Sequence, residues 1–565
     1  MYIDSAYNNQ QLVTWVRDED DVLHMLPFEP PYYFYTIAPN GPHRSIYGDP
    51  LAKVEFSNYN DMKNAANQKE VAFESDIAPL YKHLSDDFYK VEGGRLHIGL
   101  FDIEVEVDLS LGEGYPNPDN PYGAVNSISL FDCYRNKYHL FLLRADNVKV
   151  EAKDGLPVVH HYAQGEVQLL NQFLDQIEDI DVLSAWFGDG FDVPYLIKRL
   201  QKVMGNNAVK ALCRGGFSPR KIESKDDFEN EIVEYQLVGR PHLDMLKLYK
   251  NFTFGEEKPS FKLDAIAELE IGERKIEYSG DLGELYRNDP QTFYEYSLHD
   301  TYLLKKLNDQ LQHIDLAITM SREATIKFTD IFGSIKYIEQ SVRNYCHYDR
   351  EEPLILPDKD PYAEKEKLQG AIVYKTREGV HPWCMSIDLT ALYPSVIVSL
   401  GISPETMIMQ CANNHDDFIK IVERRPEEIR VLNFEDNEIV TINADDLKDI
   451  IEEEGFTLSA NGTIFNGKQG IISEVVNNWF QSRVKLKAKM KEAIKAGDKE
   501  EEKLYNIQQM VKKISVNSIY GAMANPYCRF YDIDIAKSIT YTGQEVSRYQ
   551  AYQADQAIER RKNIA

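Results

Sequence analysis

Cysteine is scarce in this sequence. Its six residues, Cys133, Cys213, Cys346, Cys384, Cys411 and Cys528, are scattered and form no CxxC pair. That excludes a disulfide framework and a thiolate zinc site as organising features, and points to reduced, intracellular thiols. No uninterrupted apolar run is long enough to span a bilayer. The opening residues, MYIDSAYNNQ, carry neither a basic leader nor an apolar core. No signal peptide, no membrane and no secretion are therefore expected. Internal repeats and low-complexity tracts are lacking as well.

Positive charge is in deficit too: 63 Lys and Arg stand against 91 Asp and Glu, a net charge of −28. Read globally, this argues against nucleic acid, whose binding rests on basic contacts to phosphate. Global charge does not report local charge, however, and an acidic surface can coexist with a basic groove. What is present is ordinary for a water-soluble globular chain, with 43% hydrophobic and 27% charged residues. At 565 residues the chain is too long for one core and divides into several domains.

Residues 1–96 alternate apolar and polar positions between turn clusters such as FEPPYYFYT and APNGPH. They read as a strand-rich domain, to which 311–365 return. Residues 97–310 alternate strand-like and helix-like segments, an α/β layer pattern. LHIGLFDIEVEV, NSISLFDCY, KYHLFLL and VLSAWF read as strands, and GEVQLLNQFLDQI has helical spacing. Residues 366–470 form a second α/β unit with an acidic, irregular insertion over 404–470. Residues 471–526 are mostly helical, and 527–565 return to the preceding unit.

Four carboxylates and a tyrosine stand out. In FDIEVEV, Asp102 and Glu104 are two apart, so a strand puts both on one face. Two like charges side by side repel unless a cation sits between them, although an exposed strand face also carries such pairs. In GFDVPYLIKRL, Asp192 follows an apolar strand and two glycines, where it caps a helix or serves a site. In YEYSLHDTYLLKKL, Tyr296 and Asp300 are four apart on one helix face.

A second set lies downstream. SIDLTALYPSVI, Ser386 to Ile397, reads as a buried strand that lifts Asp388 to its tip and ends at Pro394 before a helix. A lone Asp there is either a structural cap or a metal ligand. NNWFQSRVKLKAKMKEAIK places Arg483 and Lys487 four apart, and Lys485, Lys489, Lys491 and Lys495 make that segment basic. QQMVKKISVNSIYGAMAN puts Lys513, Asn517 and Tyr520 on one helical face, with Gln509 one turn earlier and Gly521 ending the pattern.

In order and spacing, DxE, then FD before a helix, then YxxxD resembles the exonuclease motifs of family B DNA polymerases. DxxxLYPS at Asp388 resembles the first palm motif of that family, and KxxxNSxYG at Lys513 its fingers motif. The likeness is nearest to the replicative polymerases of T-even-like tailed phages. LQGAIV, with Gly370, resembles the template-contacting loop between the two domains. The resemblance implies an α/β multi-domain fold: a strand-rich N-terminal domain, an RNase H-like 3′→5′ exonuclease domain, a partial palm and helical fingers, with the thumb absent. Asp102, Glu104, Asp192 and Asp300 would hold two Mg²⁺ or Mn²⁺ ions, and Tyr296 would orient the attacking water. Asp388 and the carbonyl of Leu389 would bind the metals of nucleotide transfer. Tyr393, beside Leu392, would lie under the sugar and exclude a 2′-hydroxyl. Arg483, Lys487 and Lys513 would bind the triphosphate of a dNTP, and Asn517 and Tyr520 would line the base-pair pocket.

Two departures qualify the likeness. Many members carry Asn where WFGDGFD has Phe187, which cannot hydrogen-bond the primer end. The palm hairpin YxDTDS does not occur. The pair Asp532-Ile533-Asp534 precedes SITYTGQ and reads as a strand leaving the fingers. The expectation is a polymerase subunit with proofreading, acting on primer-template and single-stranded DNA. A second subunit would supply the hairpin and thumb and, through them, a sliding-clamp contact. If phage-encoded, it would work in the cytoplasm of the bacterial host. A truncated polymerase, a stand-alone exonuclease with a non-functional palm, and a non-enzymatic DNA-binding module are the competing readings.

Overall fold

The computed structural model describes the chain except for residues 10, 70, 109, 111, 226–230, 254–257, 365, 367, 369, 374, 376, 377, 381–386 and 563–565. For residues 559–562 it describes the backbone alone. The chain divides into two compact units. One comprises Met1–Pro31 with Pro79–Phe332, the other Tyr32–Ala78 with Gly333–Ala565. Both units therefore draw on the first 96 residues.

The first unit is built on a five-stranded mixed sheet: β1 (Ile98–Val105), β2 (Val125–Asp132), β3 (Lys137–Leu143), β4 (Val158–Ala163) and β5 (Val182–Ser184). Its spatial order is β4-β3-β2-β1-β5. The middle three strands are antiparallel, while β4 and β5 join parallel at the two edges. Two helices, α1 (Glu166–Gln176) and α2 (Asp192–Met204), contribute to one core with Phe101, Ile103 and Val105 of β1. Period-two alternation then turns Asp102 and Glu104 to the other face. That face receives the long helix α4 (Pro290–Leu311), preceded in the chain by α3 (Met245–Phe252). A three-stranded meander, Tyr2–Asn8, Gln11–Arg17 and Leu23–Phe28, completes the unit. Its last-but-one strand is tied down by Arg17, which donates to both oxygens of the buried Asp181 at 2.6 and 2.8 Å.

The second unit carries one five-stranded sheet, four strands from 32–73 and the fifth from Leu354–Ile355, which runs parallel to His43–Ser45. Residues up to Phe332 stay with the first unit, and the chain joins the second from Gly333. The buried Glu74 anchors that later segment, accepting from Arg343 at 3.1 Å and lying 2.7 Å from His347. Residues 404–470, expected to be irregular, form a second five-stranded sheet with its own core of Ile429, Val431, Leu447, Ile451 and Ile464. Most of the acidic residues sit on exposed helix and strand faces and mask the inward apolar alternation.

Downstream of it, α5 (Leu392–Leu400), α6 (Ile471–Ala496), α7 (Lys499–Met523) and α8 (Ile533–Lys562) supply the helical part. Helices α6 and α7 pack as an antiparallel hairpin closed by Gly497, at φ 73°, and by Asp498, whose side chain accepts from Glu500 and Glu501 N–H. Gly521 does not end the second of these helices, which runs on to Met523.

Candidate metal and nucleotide sites

Asp102, Glu104 and Asp300 converge, with one carboxylate oxygen from each lying within 4.8 Å of the others. Glu104 and Asp300 are buried and Asp102 is half-buried. The two strand acids arrive by alternation along β1, and Asp300 arrives from the face of α4 that packs on that strand. Burial raises the Asp102 carboxyl well above its ordinary range, and its neighbours Asp300, Glu104 and Asp192 add to this. Burial, then Asp300, pushes Glu104 up to about 8. Burial raises Asp300 as well, against the pull of Lys275.

Asp192 stands beside this group rather than within it. It opens α2, is buried, and its Oδ1 accepts the N–H of Ile103 at 3.2 Å. Burial pushes its carboxyl to about 7. It is the first helical residue rather than the cap, since Phe191 holds the capping position and caps with no side-chain bond. Phe187 is exposed, sits at φ 62°, and occupies with its ring the space a Cβ on Gly190 would need.

One residue of this site escaped the sequence reading. The Lys275 ammonium donates to Asp300 Oδ2 at 2.5 Å and to the Tyr296 hydroxyl at 3.1 Å. Burial opposes its charge, but Asp300, Tyr296, Asp102 and Glu104 outweigh burial and hold its pKa above the ordinary lysine value. It lies in a coil segment 25 positions before Asp300, so no local spacing marks it. Tyr278 packs edge-on against Tyr296, with ring centroids 5.3 Å apart.

These residues fit a divalent ion. The donors are all oxygen, which suits Mg²⁺ or Mn²⁺. Asp300 Oδ1 is buried and has no hydrogen-bond partner among the described residues. An unpaired buried carboxylate oxygen is costly unless a cation completes it.

The downstream residues gather in the second unit. Leu392, Tyr393, Asn517 and Tyr520 line one cavity of about 420 Å³ with Gln544 and Gly543. The Tyr393 and Tyr520 rings lie 4.8 Å apart, and burial, then Tyr393, pushes the Tyr520 hydroxyl to about 12. A Cβ on Gly543 would meet the Tyr393 ring at 2.7 Å, so glycine lets α8 approach it. Gln544 donates to the Gly370 carbonyl at 2.7 Å, while the Cβ position of Gly370 itself faces open space. Like-charge repulsion from Arg483 comes first among the causes that lower the Lys487 pKa, followed by burial and Lys513. The three cations thus share one neighbourhood, and burial lowers the Arg483 pKa.

Asp388 and Leu389 are placed differently from expectation. Ser386 lies outside the described residues, and Ile387–Thr390 form no strand. Asp388 is exposed, as is Ile387. Helix α5 begins at Leu392, with Ala391 at φ 54° in the capping position, so Pro394 sits inside its first turn instead of ending a strand. An acid without a nearby cation keeps its water. Among the described residues Asp388 joins no acidic cluster. Asp532 and Asp534 are likewise not on a strand. Asp532 Oδ1 accepts from the N–H groups of Asp534 and Ile535 at the start of α8, and Asp534 lies in its first turn near Lys537.

The first unit therefore presents a cluster of acids on a mixed sheet, and the second a tyrosine-lined cavity beside a helical hairpin that carries clustered cations. Comparison with known proteins gives this arrangement a family. The exonuclease domain of DNA polymerase family B matches residues 44–266, and DNA polymerase family B matches residues 341–564. The chain belongs to DNA polymerase family B. The DNA-directed DNA polymerase of Escherichia phage RB69 is 27% identical over 557 residues, covering 88% of this chain and 60% of the relative. That of Enterobacteria phage T4 is 25% identical over 560 residues, covering 89% and 60%. DNA polymerase 1 of Pyrococcus abyssi is 23% identical over 383 residues, covering 65% and 42%. The chain thus spans about 60% of the length of the two phage relatives.

Proposed function

We propose that this chain carries the proofreading and nucleotide-selecting parts of a DNA-directed DNA polymerase, and that its first unit removes nucleotides from DNA 3′ ends. The observation that carries the nuclease reading is the convergence of Asp102, Glu104 and Asp300 around a buried, unpartnered Asp300 oxygen. Asp102, Glu104 and Asp300 would hold Mg²⁺ or Mn²⁺, with Asp192 completing the set from α2. The ions would supply charge neutralisation for the attacking and leaving oxygens of phosphodiester hydrolysis. Tyr296 holds its hydroxyl toward that centre, fixed by Lys275, and would position the attacking water. The Lys275 ammonium adds positive charge where phosphate oxygens gain negative charge. Phe187, where many relatives have Asn, leaves the metal acids intact, so hydrolysis is expected.

The second unit would select the incoming dNTP. Arg483, Lys487 and Lys513 would meet the triphosphate, and Asn517 and Tyr520 the nascent pair. Tyr393 would lie under the sugar, with Leu392 and the Leu389 carbonyl beside it. Asp388 would be one of the two acids that nucleotide transfer needs. The second acid, on a YxDTDS-type hairpin, would come from outside these 565 residues, as would the thumb and any clamp contact. A second subunit is one source for them, and a longer form of this polypeptide is the other. The site would be that of a replication enzyme in the cytoplasm of a phage-infected bacterium.

The test uses the purified chain, Mg²⁺ and labelled DNA. It should shorten single strands from the 3′ end and extend no primer. Adding a polypeptide from the same source that carries the hairpin and thumb should restore extension. A stand-alone exonuclease, which the exposed Asp388 would suit, predicts no restoration. Extension by the chain alone would refute the account of the second acid.

A further inference from the structure

The turn that leads into Asp192 is held by two carboxylates that the proposed chemistry does not use. Phe187 O accepts from the N–H groups of Gly190 and Phe191, both at 3.0 Å, and Gly188 O accepts from Val193 N–H at 2.9 Å. Asp244 caps α3 through Leu246 and Lys247 N–H, and with the same side chain accepts from Phe187 N–H at 3.2 Å and Asp189 N–H at 3.0 Å. The Asp189 carboxylate is divided. Its Oδ1 lies 2.7 Å from His242 Nδ1, and its Oδ2 accepts from Lys247 Nζ at 2.5 Å. Lys247 is held in turn by Glu234 Oε1 at 2.7 Å. The turn fits closely: a Cβ on Gly188 would lie 2.6 Å from His242 Nε2, and one on Gly190 would overlap the Phe187 ring.

Holding Asp189 and His242 out of water is expensive unless their geometry matters. Their geometry here fixes one thing. It staples the Phe187–Gly190 turn to α3, and that turn leads through Phe191 into Asp192, the first residue of α2 and the acid that stands just outside the group of three. We infer that Asp189 is a positioning residue that holds Asp192 within reach of the metal centre, acting through His242 and Lys247. The inference rests on the metal-nuclease reading of that centre. Groups that orient metal ligands without touching the ion typically set affinity by about 10- to 100-fold.

The test is Mn²⁺ binding to the full chain by calorimetry, with no DNA present, alongside the metal dependence of strand shortening. Asp189→Ala should weaken Mn²⁺ binding by about 10- to 100-fold, and raise the half-saturating metal concentration for hydrolysis in parallel, with the rate recovering at saturating metal. Lys247→Met, which removes one anchor and is less disruptive, should shift both in the same direction, and Lys247→Arg should restore them. Either Asp189→Ala or Lys247→Met, folded by circular dichroism and binding Mn²⁺ as the wild type does, overturns the inference. Should Asp189→Ala fail to fold, Lys247→Met decides. Wild-type protein that binds no Mn²⁺ and shortens no DNA overturns the metal-nuclease reading instead, and the inference falls with it.

Discussion

The ammonium of Lys275 lies 2.5 Å from Oδ2 of Asp300, inside the group of acids that would hold the metal. A fixed organic cation thus stands where divalent charge is expected, and it also donates to Tyr296. In metal-free protein it balances part of a charge that burial would otherwise force to neutralise.

Lys275→Met should have two effects. The metal-free protein should lose roughly 1–3 kcal/mol of stability, because Asp300 is left buried without its partner, measurable by urea unfolding in chelator. Strand shortening at saturating Mg²⁺ should fall by about 10²-fold, since the tyrosine loses its fixed donor and the phosphate its cation. Unchanged hydrolysis would confine Lys275 to a structural role.

Asp102→Ala, Glu104→Ala and Asp300→Ala should each reduce 3′-end hydrolysis by at least about 10²-fold, with the fold retained by circular dichroism. Asp192→Ala should do the same but respond more to added metal, because it stands outside the close group. Degradation that persists in Asp102→Ala and Asp300→Ala would remove the nuclease assignment.

The acids give the site a pH dependence of known sign. Glu104 is pushed to about 8 and Asp192 to about 7, chiefly by burial. Carboxyls near 4 in the unfolded chain are thus raised in the fold, so their contribution to stability is complete below about pH 4 and is lost as pH rises through 7 to 8. Metal-free protein should therefore melt lower at pH 8.5 than at pH 6 by scanning calorimetry. Metal binding must displace those protons, so Mn²⁺ affinity should rise across the same window. A flat affinity between pH 6 and pH 8.5 would contradict the assignment of these carboxyls as ligands.

Arg483, Lys487 and Lys513 give opposite signs for stability and binding. Lys487→Met should stabilise the nucleotide-free chain by a few tenths of a kcal/mol, by relieving repulsion one turn from Arg483. It should weaken dNTP binding, as should Arg483→Ala and Lys513→Ala, with all three effects shrinking at high salt. Thermal melting and equilibrium dNTP titration check the pair of signs.

Much of the acidic group in the first unit was legible because local periodicity delivers it. Asp102 and Glu104 share a face by the two-residue repeat of a strand, and Tyr296 and Asp300 by the four-residue spacing of a helix. Phe-Asp before a helix located Asp192 but not its distance from the others, which depends on the turn stapled by Asp189 and Asp244. Lys275 was invisible because tertiary packing alone brings a coil residue to Asp300. Residues 404–470 were misread because their surface acids outnumber the few inward residues that define a sheet. The stretch around Asp388 was read as a buried strand from its apolar composition, yet Leu392 to Leu400 spends that composition on a helix and leaves Asp388 in water. Asp532 looked like a strand acid because an Asp-x-Asp pair has the same period as a helix cap and its first turn.

The most direct measurement is anomalous scattering from crystals of the chain soaked in Mn²⁺. Density is expected between Asp102, Glu104 and Asp300, with Asp300 Oδ1 among the ligands, Asp192 drawn to a second ion, and the Lys275 ammonium moved off Asp300 Oδ2. Crystals that diffract well, carry Mn²⁺ elsewhere and leave those three acids bare, with Lys275 still on Asp300, would contradict that expectation.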